Sequence, residues 1–487
     1  MSPSVTVVGA GPTGLVLAGE LARAGLAVRV LEKRTQRTMR SRAIGLEPRT
    51  LEQLDLCGVA EALVERGLPW RLQPMGDRKG FLDYGRLDTP FPYVLILAQS
   101  HTEEILADHA VKAGVEIVRD AQVVGLDQSA DSVTLHVRGA DRTWRETSDY
   151  VVGCDGVRSD VRAFAGIGFT GLSYPESLIV ADVRLSAPPP ELVDAKISRR
   201  GLVAVFPLGD DVFRLVILDH ERMRVPLDEP VTAAELSDSV VSIFGEDLGV
   251  RDPVWMSRFR SEQRLADSYR AGRVLLAGDA AHTHLPSGGQ GLQMGVQDAM
   301  NLGWKLAAEA VGWAPSGLLD SYAAERRPIA AGTLRKTDLA FRFETSDGPA
   351  GRVARWLTMR LMRVEALQGP VVGQLAGLGL KYRGDRRSRL SGRRMPDAPL
   401  HLPGADVARV FEAFRGRTFV LLHAPATAAA AVAATAGWTD RVRLLPAPHD
   451  RRRPDLVLAR PDGYVAWAGR VDALPAALRR WCGEPVL

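Results

Sequence analysis

Residues 4–32 read SVTVVGAGPTGLVLAGELARAGLAVRVLE, and this stretch decides the fold. The β-branched run at 5–8 has the pattern of a buried strand, residues 15–24 carry the apolar periodicity of a helix, and residues 27–31 form a second strand ending at Glu32. Strand, tight turn, helix and strand close a βαβ unit, with Gly25 suited to the helix C-terminus. Each glycine of the turn has its own task. Gly9 permits the bend, Gly11 lets backbone approach a pyrophosphate, and Gly14 lets helix and strand pack closely. Pro12 and Thr13 complete the turn, and the helix N-terminus behind them suits phosphate.

Glu32 lies 18 residues beyond Gly14 and is placed to accept hydrogen bonds from a ribose diol, a position from which it would repel a 2'-phosphate. FAD or NAD is therefore expected here rather than NADP, with Lys33 following the acidic residue. Gly166, Gly168 and Gly171 spell the same pattern, but they follow a helix-like VRAFA and have no acidic partner after a second strand. They are expected to form a loop.

Two later segments extend the site. Residues 150–152 read as a strand running into Gly153-Cys154-Asp155-Gly156, and residues 273–277 as another ending in Gly278-Asp279. An aspartate at a strand's carboxyl end can bond ribityl hydroxyls, which NAD does not have. A loop with Gly288, Gly289 and Gly291 then enters a helix whose apolar positions are Leu292, Val296, Met300, Gly303 and Leu306. Its N-terminus suits the pyrimidine end of an isoalloxazine.

The ordered set GAGPTG, SRAIGLEPRT, GCDGVRS and RVLLAGDAAHTHLPSGGQGLQMGVQDAMNLGWKLA resembles the class A flavoprotein monooxygenases of the para-hydroxybenzoate hydroxylase type. Within them it is most similar to bacterial aromatic polyketide hydroxylases and rifampicin-type antibiotic monooxygenases. The resemblance covers roughly residues 4–345 strongly. It implies that Arg42 approaches the flavin or pyrophosphate, that Gln99 lies near the ribityl chain, and that the backbone at Val123 meets adenine. It further implies that Asp155 serves FAD and the reduced nicotinamide, that Asp279 binds ribityl, and that Pro286, Gly289, Gly291 and Leu292 form the flavin-ring loop. Two departures are Ala98, where proline is common, and Gln293, where asparagine is common.

The implied chemistry belongs to the cofactor. A transient nicotinamide, NADPH by resemblance, reduces FAD; dioxygen then gives a flavin C4a-hydroperoxide whose distal oxygen passes to an aromatic, polycyclic polyketide-like substrate. No serine, cysteine or histidine nucleophile is expected. Baeyer-Villiger or epoxidising oxygenation and antibiotic-inactivating hydroxylation remain open as alternatives, as does a flavin-binding protein that only sequesters a ligand.

The whole chain of 487 residues, 46% hydrophobic and 25% charged, points to an α/β protein of several domains. A discontinuous Rossmann-like FAD-binding domain is expected over 1–67, 98–175 and 265–345. A mostly antiparallel substrate domain follows from 68–97 and 176–264, with Phe206, Pro207 and Leu208 as candidate pocket-wall residues. Residues 346–395 read as a helical segment and basic linker, its KYRGDRRSRLSGRR a solvated run with a few arginines pinned in ion pairs. Residues 396–487 resemble a thioredoxin-like domain, redox-inactive because no CxxC occurs among the three cysteines.

His282 and His284 lack a third ligand set, so no metal is expected and they should pack beside the flavin loop. The net charge of +4 and the absence of nucleic-acid motifs point away from a nucleic-acid partner. No leader and no run of 18 uninterrupted apolar residues is seen, which predicts a cytoplasmic protein with no membrane partner, monomer or homodimer.

Overall fold

The computed structural model describes residues 2–38, 43–75, 81–285, 289–346, 348–384, 388–400, 407–447 and 454–486. Its first sheet is built on β1 (Ser4–Val8), the helix α1 (Pro12–Arg23) and β2 (Ala27–Glu32). The strand order is Arg270–Ala271, Val274–Leu276, Tyr150–Gly153, β1, β2 and Glu116–Arg119. All neighbours are parallel except the outermost pair, Arg270–Ala271 and Val274–Leu276. Val7, Val30, Val151, Val152, Leu275 and Leu276 are fully buried. That burial explains why these strands read as continuous apolar runs, since helices cover both faces of a parallel sheet. Parallel pairing also brings the carboxyl ends of four strands to one edge: Gly9, Glu32, Cys154 with Asp155, and Gly278 with Asp279.

The second sheet is antiparallel, in the order Asp194–Ile197, Gly201–Gly209, Val212–Asp219, Phe169–Leu185, Val250–Ala266 and His282–Thr283. Phe169–Leu185 and Val250–Ala266 pair from Phe169 opposite Ala266 to Leu185 opposite Val250, so one long ribbon joins both sheets. Its own core sets Val183, Val203, Leu215 and Ile217 against Leu236, Val240 and Phe244 of the helix Ala233–Phe244.

The glycine copy at 166–171 differs from the expected loop. Gly166 closes the short helix Asp160–Phe164 at φ +66°, Gly168 precedes the ribbon, and Gly171 lies within it opposite Arg264. The order is helix then strand, the reverse of a dinucleotide turn, so no helix N-terminus faces its backbone.

Two long helices, α2 (Gln290–Val311) and α3 (Ser321–Thr345), cover the first sheet, followed by α4 (Pro349–Met362) and α5 (Glu365–Leu375). The C-terminal sheet has the order Val442–Pro446, Phe419–His423, Leu456–Ala459 and Val465–Gly469. Its first pair is parallel and the rest antiparallel, with the helix Leu474–Cys482 following.

This last domain is bolted to the first by charge as well as by apolar contact. Arg460 bonds Glu325 at 2.7 Å, Lys305 reaches the other oxygen of Glu325 at 2.8 Å, and Asn301 donates to Asp462 at 3.2 Å. The guanidinium of Arg49 lies over the Tyr464 ring, 4.6 Å from its centre, and Trp304 of α2 meets Phe419 edge-on. The stretch read as a solvated basic linker is in part a packed strap. Tyr382 and Met395 are buried, and Arg394 bonds the buried Glu52 at 2.8 Å. Arg394 thus neutralises Glu52 and is a pinned arginine of the kind expected in this run; Asp385 to Arg387 lie outside the described residues.

Candidate functional site

The turn after β1 is held from three sides. The Gly9 amide donates to Leu31 at 2.8 Å and the Cys154 amide to Val8 at 2.8 Å, which stitches the ends of three adjacent strands together. Gly9 takes φ +106°, and a Cβ there would run into the Cys154 carbonyl. A Cβ on Gly14 would overlap the Gly9 carbonyl. Gly11 is different: a Cβ on it would meet nothing within 4 Å. It caps α1 and faces open space, with Pro12 at the first helical position. The amides of Thr13 and Gly14 in that first turn have no carbonyl four residues back to bond. Such a cradle fits a pyrophosphate.

Glu32 is buried at the end of β2, and the Ala10 amide donates to its Oε2 at 2.9 Å. The Arg34 amide and Nε donate to its Oε1, both at 2.9 Å. Burial works to raise its pKa, but the Arg34 and Ala10 hydrogen bonds outweigh that and leave it below the usual carboxylate range. It stays ionised, as an acceptor for a diol must. Lys33 is exposed beside it. Val123 is buried on the neighbouring strand Gln122–Gln128, close to the point where the Ala121 amide bonds the Glu32 carbonyl at 3.0 Å.

At the other end of the cradle, Thr13 is the contact between α1 and two distant glycines. A Cβ on Gly278 or Gly295 would run into its side chain. Asp279 is half-buried in the turn after Val274–Leu276, its Oδ1 3.8 Å from where a Cβ on Gly291 would stand. Gly289 adopts the left-handed region at φ +60° to start α2, and Leu292 is half-buried in its first turn. Asp279, Gly289, Gly291 and Leu292 thus come together beside Gly11 to Gly14, while Arg42 and Pro286 lie outside the described residues.

Asp155 and Gln99 serve their own loops in this structure. Asp155 accepts from Ser159 at 2.5 Å and from the Val161 amide at 3.1 Å, and burial raises its pKa despite those bonds. Gln99 accepts from the Ala43 amide at 3.0 Å and donates to Glu103 at 2.8 Å, which fixes the chain just after Arg42.

Two groups behind the loop carried no signal of their own in the sequence. Asp298 on α2 accepts from Gly278 N at 3.1 Å, His282 Nε2 at 2.6 Å and Arg326 Nε at 2.7 Å, all of them buried. Burial works to raise its pKa, but His282 and Arg326 outweigh it and hold Asp298 at about 2. His284 continues the row at 2.9 Å from His282 Nδ1, and burial keeps it neutral. The histidine pair therefore braces the loop from behind, and the described residues contain no cluster of metal-ligating side chains.

The second group is Glu47, inside the quoted SRAIGLEPRT. Gln293 of α2 accepts from the Glu47 amide at 3.2 Å and donates to the Gly45 carbonyl at 2.9 Å. Burial pushes the Glu47 carboxyl up to about 8, with the Tyr84 hydroxyl as a hydrogen-bond partner that lowers it somewhat. Tyr84 belongs to an apolar cluster with Val94, Ile96 and Val193, against which Phe206 packs. Pro207 and Leu208 are half-buried at an adjacent bulge and do not join that cluster.

Residues 3–337 match the FAD binding domain family and residues 388–485 the C-terminal domain of aromatic-ring hydroxylases. The chain belongs to the FAD-dependent aromatic-ring hydroxylases. It is 38% identical to a 12-dehydrotetracycline 5-monooxygenase/anhydrotetracycline 6-monooxygenase of Streptomyces rimosus subsp. rimosus, across 100% of both chains. It is also 38% identical to a rifampicin monooxygenase of Streptomyces venezuelae, across 96% of this chain and 95% of the relative. The solved structure of an anhydrotetracycline hydroxylase from Streptomyces rimosus superposes with a TM-score of 0.88 at 37% identity, covering 100% of each chain. This hydroxylase is therefore a flavin-dependent monooxygenase, and its C-terminal sheet lies within the match to the C-terminal domain of aromatic-ring hydroxylases. Its three cysteines, Cys57, Cys154 and Cys482, are all free.

Proposed function

We propose that this hydroxylase inserts one oxygen atom into a polycyclic, phenolic substrate of polyketide type, consuming NADPH and dioxygen. The carrying observation is the clip made by Gln293, which joins the first turn of α2 to Glu47 and so sets the flavin loop beside the aromatic cluster of Tyr84 and Phe206. Large planar substrates need such an apolar wall with few, well-placed polar groups. The relatives that resemble it over nearly their whole length are named as monooxygenases of 12-dehydrotetracycline, anhydrotetracycline and rifampicin, which supports a substrate of that class.

In this reading Gly9, Gly11, Pro12, Thr13 and Gly14 cradle the FAD pyrophosphate, Glu32 and the backbone at Val123 hold the adenosine end, and Asp279 holds the ribityl chain. Gly289, Gly291 and Leu292, with Pro286, shape the seat of the ring, and the partial positive charge of the α2 N-terminus favours its reduced anion. Bound FAD supplies the redox chemistry, passing electrons from the nicotinamide to dioxygen. Phe206, Pro207 and Leu208 wall the substrate space and exclude water. A cytoplasmic enzyme, monomer or homodimer, with no nucleic-acid partner completes the proposal.

The test is NADPH oxidation by the yellow protein with a panel of tetracyclic and naphthalenic polyphenols, followed by mass spectrometry of products formed under labelled dioxygen. One labelled oxygen per product supports the proposal. Substrate-stimulated NADPH oxidation that yields only peroxide, across the panel, would overturn it.

A further inference from the structure

A turn between antiparallel strands ordinarily lies at the surface, where water serves its backbone. The turn at residues 460–464, between the strands Leu456–Ala459 and Val465–Gly469, is buried at every residue. Its polar groups are met by distant segments instead. The Arg49 guanidinium donates to the Asp462 carbonyl at 3.2 Å, Asn301 of α2 donates to the Asp462 carboxylate at 3.2 Å, and the Met395 amide donates to the Gly463 carbonyl at 2.8 Å. Arg460 bonds Asp462 at 3.0 Å and Glu325 of α3 at 2.7 Å. A Cβ on Gly463 would stand 2.8 Å from the Leu56 side chain, so the turn also lies close against the helix Pro48–Leu56.

Two of the helices touched by this turn start at the flavin loop. Arg49 is the second residue of Pro48–Leu56, directly behind Glu47, which Gln293 clips to the first turn of α2. The Arg49 side chain is buried, paired with Glu52 at 2.8 Å and laid over the Tyr464 ring. The same ring meets that of Tyr382, 4.3 Å between centres, and the Tyr382 hydroxyl accepts from Arg326 at 3.4 Å. Arg326 in turn holds Asp298, which accepts from the Gly278 amide. One aromatic ring of the last domain thus stands behind both sides of the flavin loop: the Glu47 clip through Arg49, and the turn at Gly278 and Asp279 through Tyr382, Arg326 and Asp298.

We propose that the turn at residues 460–464 is a positioning element of the flavin seat, with Tyr464 and Arg49 as its positioning residues. The C-terminal domain then serves the reaction without touching a reacting atom, by fixing the two walls between which the ring is held. Close-packed interiors transmit strain, so loss of the Tyr464 ring shifts Arg49 and Tyr382 and carries the change to the seat. The inference rests on the seat assigned above to Gly289, Gly291 and Leu292.

Tyr464→Leu and Arg49→Lys test it as flavin-loaded proteins with no substrate present, so the outcome is independent of which molecule is hydroxylated. Lysine cannot fork to Glu52 and the Asp462 carbonyl together. Each variant is expected to bind FAD about fivefold more weakly and to alter the visible circular dichroism of the bound flavin. Tyr464→Phe, which keeps the ring, is expected to match the parent in both. Val442→Ala lies in the buried core of the same domain, on a strand separated from Leu456–Ala459 by Phe419–His423. It should lower the melting temperature and leave FAD affinity and spectrum unchanged. Parental affinity and spectrum in the folded turn variants, equal losses in Val442→Ala and Tyr464→Leu, or a Tyr464→Phe variant as impaired as Tyr464→Leu would each overturn the proposal. Gly291→Ala separates this inference from the seat itself, since a Cβ there would have only Asp279 within 4 Å. A changed flavin spectrum in that variant with none in the turn variants overturns this inference alone, and no change in any of them overturns the seat as well.

Discussion

Gly9, Gly11 and Gly14 share their spacing with Gly166, Gly168 and Gly171, yet the two sets have opposite surroundings. The first follows a central parallel strand and opens a helix, so its backbone amides look outward from a positive helix end. The second follows a helix and enters an antiparallel ribbon, where Gly171 is needed because a side chain would collide with the Gln263 carbonyl of the paired strand. Glycine marks close approach in both places. What the backbone approaches, a cofactor or another strand, is decided by the order of the flanking elements.

Substitutions can break or sharpen that contrast. The largest effect is expected from Gly14→Ala, whose Cβ overlaps the Gly9 carbonyl and forces strand and helix apart; the purified protein should carry no flavin absorbance. Next is Asp298→Asn, which braces only the first glycine set, through Gly278 and Thr13. Leaving Arg326 buried without its charge partner should cost roughly 3–5 kcal/mol by denaturant unfolding.

Asp298 and Glu47 also set opposite pH dependences on the two sides of the flavin loop. With a folded pKa of about 2, Asp298 adds stability that is complete above the unfolded value and fades as pH falls toward 2. Glu47, held near 8, does the reverse: the folded state keeps a proton the unfolded chain has released, so stability falls as pH rises from the unfolded value through 8. Glu47→Gln should flatten that decline and raise stability at pH 7 by about 3 kcal/mol, read from melting curves across pH.

Gly171→Ala should cost about 1–3 kcal/mol through overpacking of the ribbon, with the flavin content of the folded protein unchanged. A selective loss of flavin in that variant would erase the contrast between the two patterns. The smallest effect on the fold belongs to Gly11→Ala, since its Cβ meets no protein atom. Its melting temperature without flavin should match the parent, while flavin affinity falls about tenfold, a loss of about 1.4 kcal/mol. Unchanged affinity would mean that the open space at Gly11 is not where the phosphates lie.

The sequence alone determined the βαβ unit, the acidic strand ends and the flavin-loop helix. Each of these rests on contacts between near neighbours in the chain, where spacing and residue type carry the information. It determined the family for a related reason: several local motifs in one order are far more specific than any one of them.

Only the tertiary structure decided what depends on distant partners. Gly171 became a strand residue because the ribbon partner arrives from Gln263 and Arg264, the basic linker became in part a packed strap because Tyr382 and Met395 are buried and Glu52 lies across from Arg394, and Asp298 became the brace because His282 and Arg326 converge on it. Glu47 acquired its raised pKa only through burial beside Tyr84. Burial and pairing are sums over elements far apart in sequence, and no local pattern encodes them.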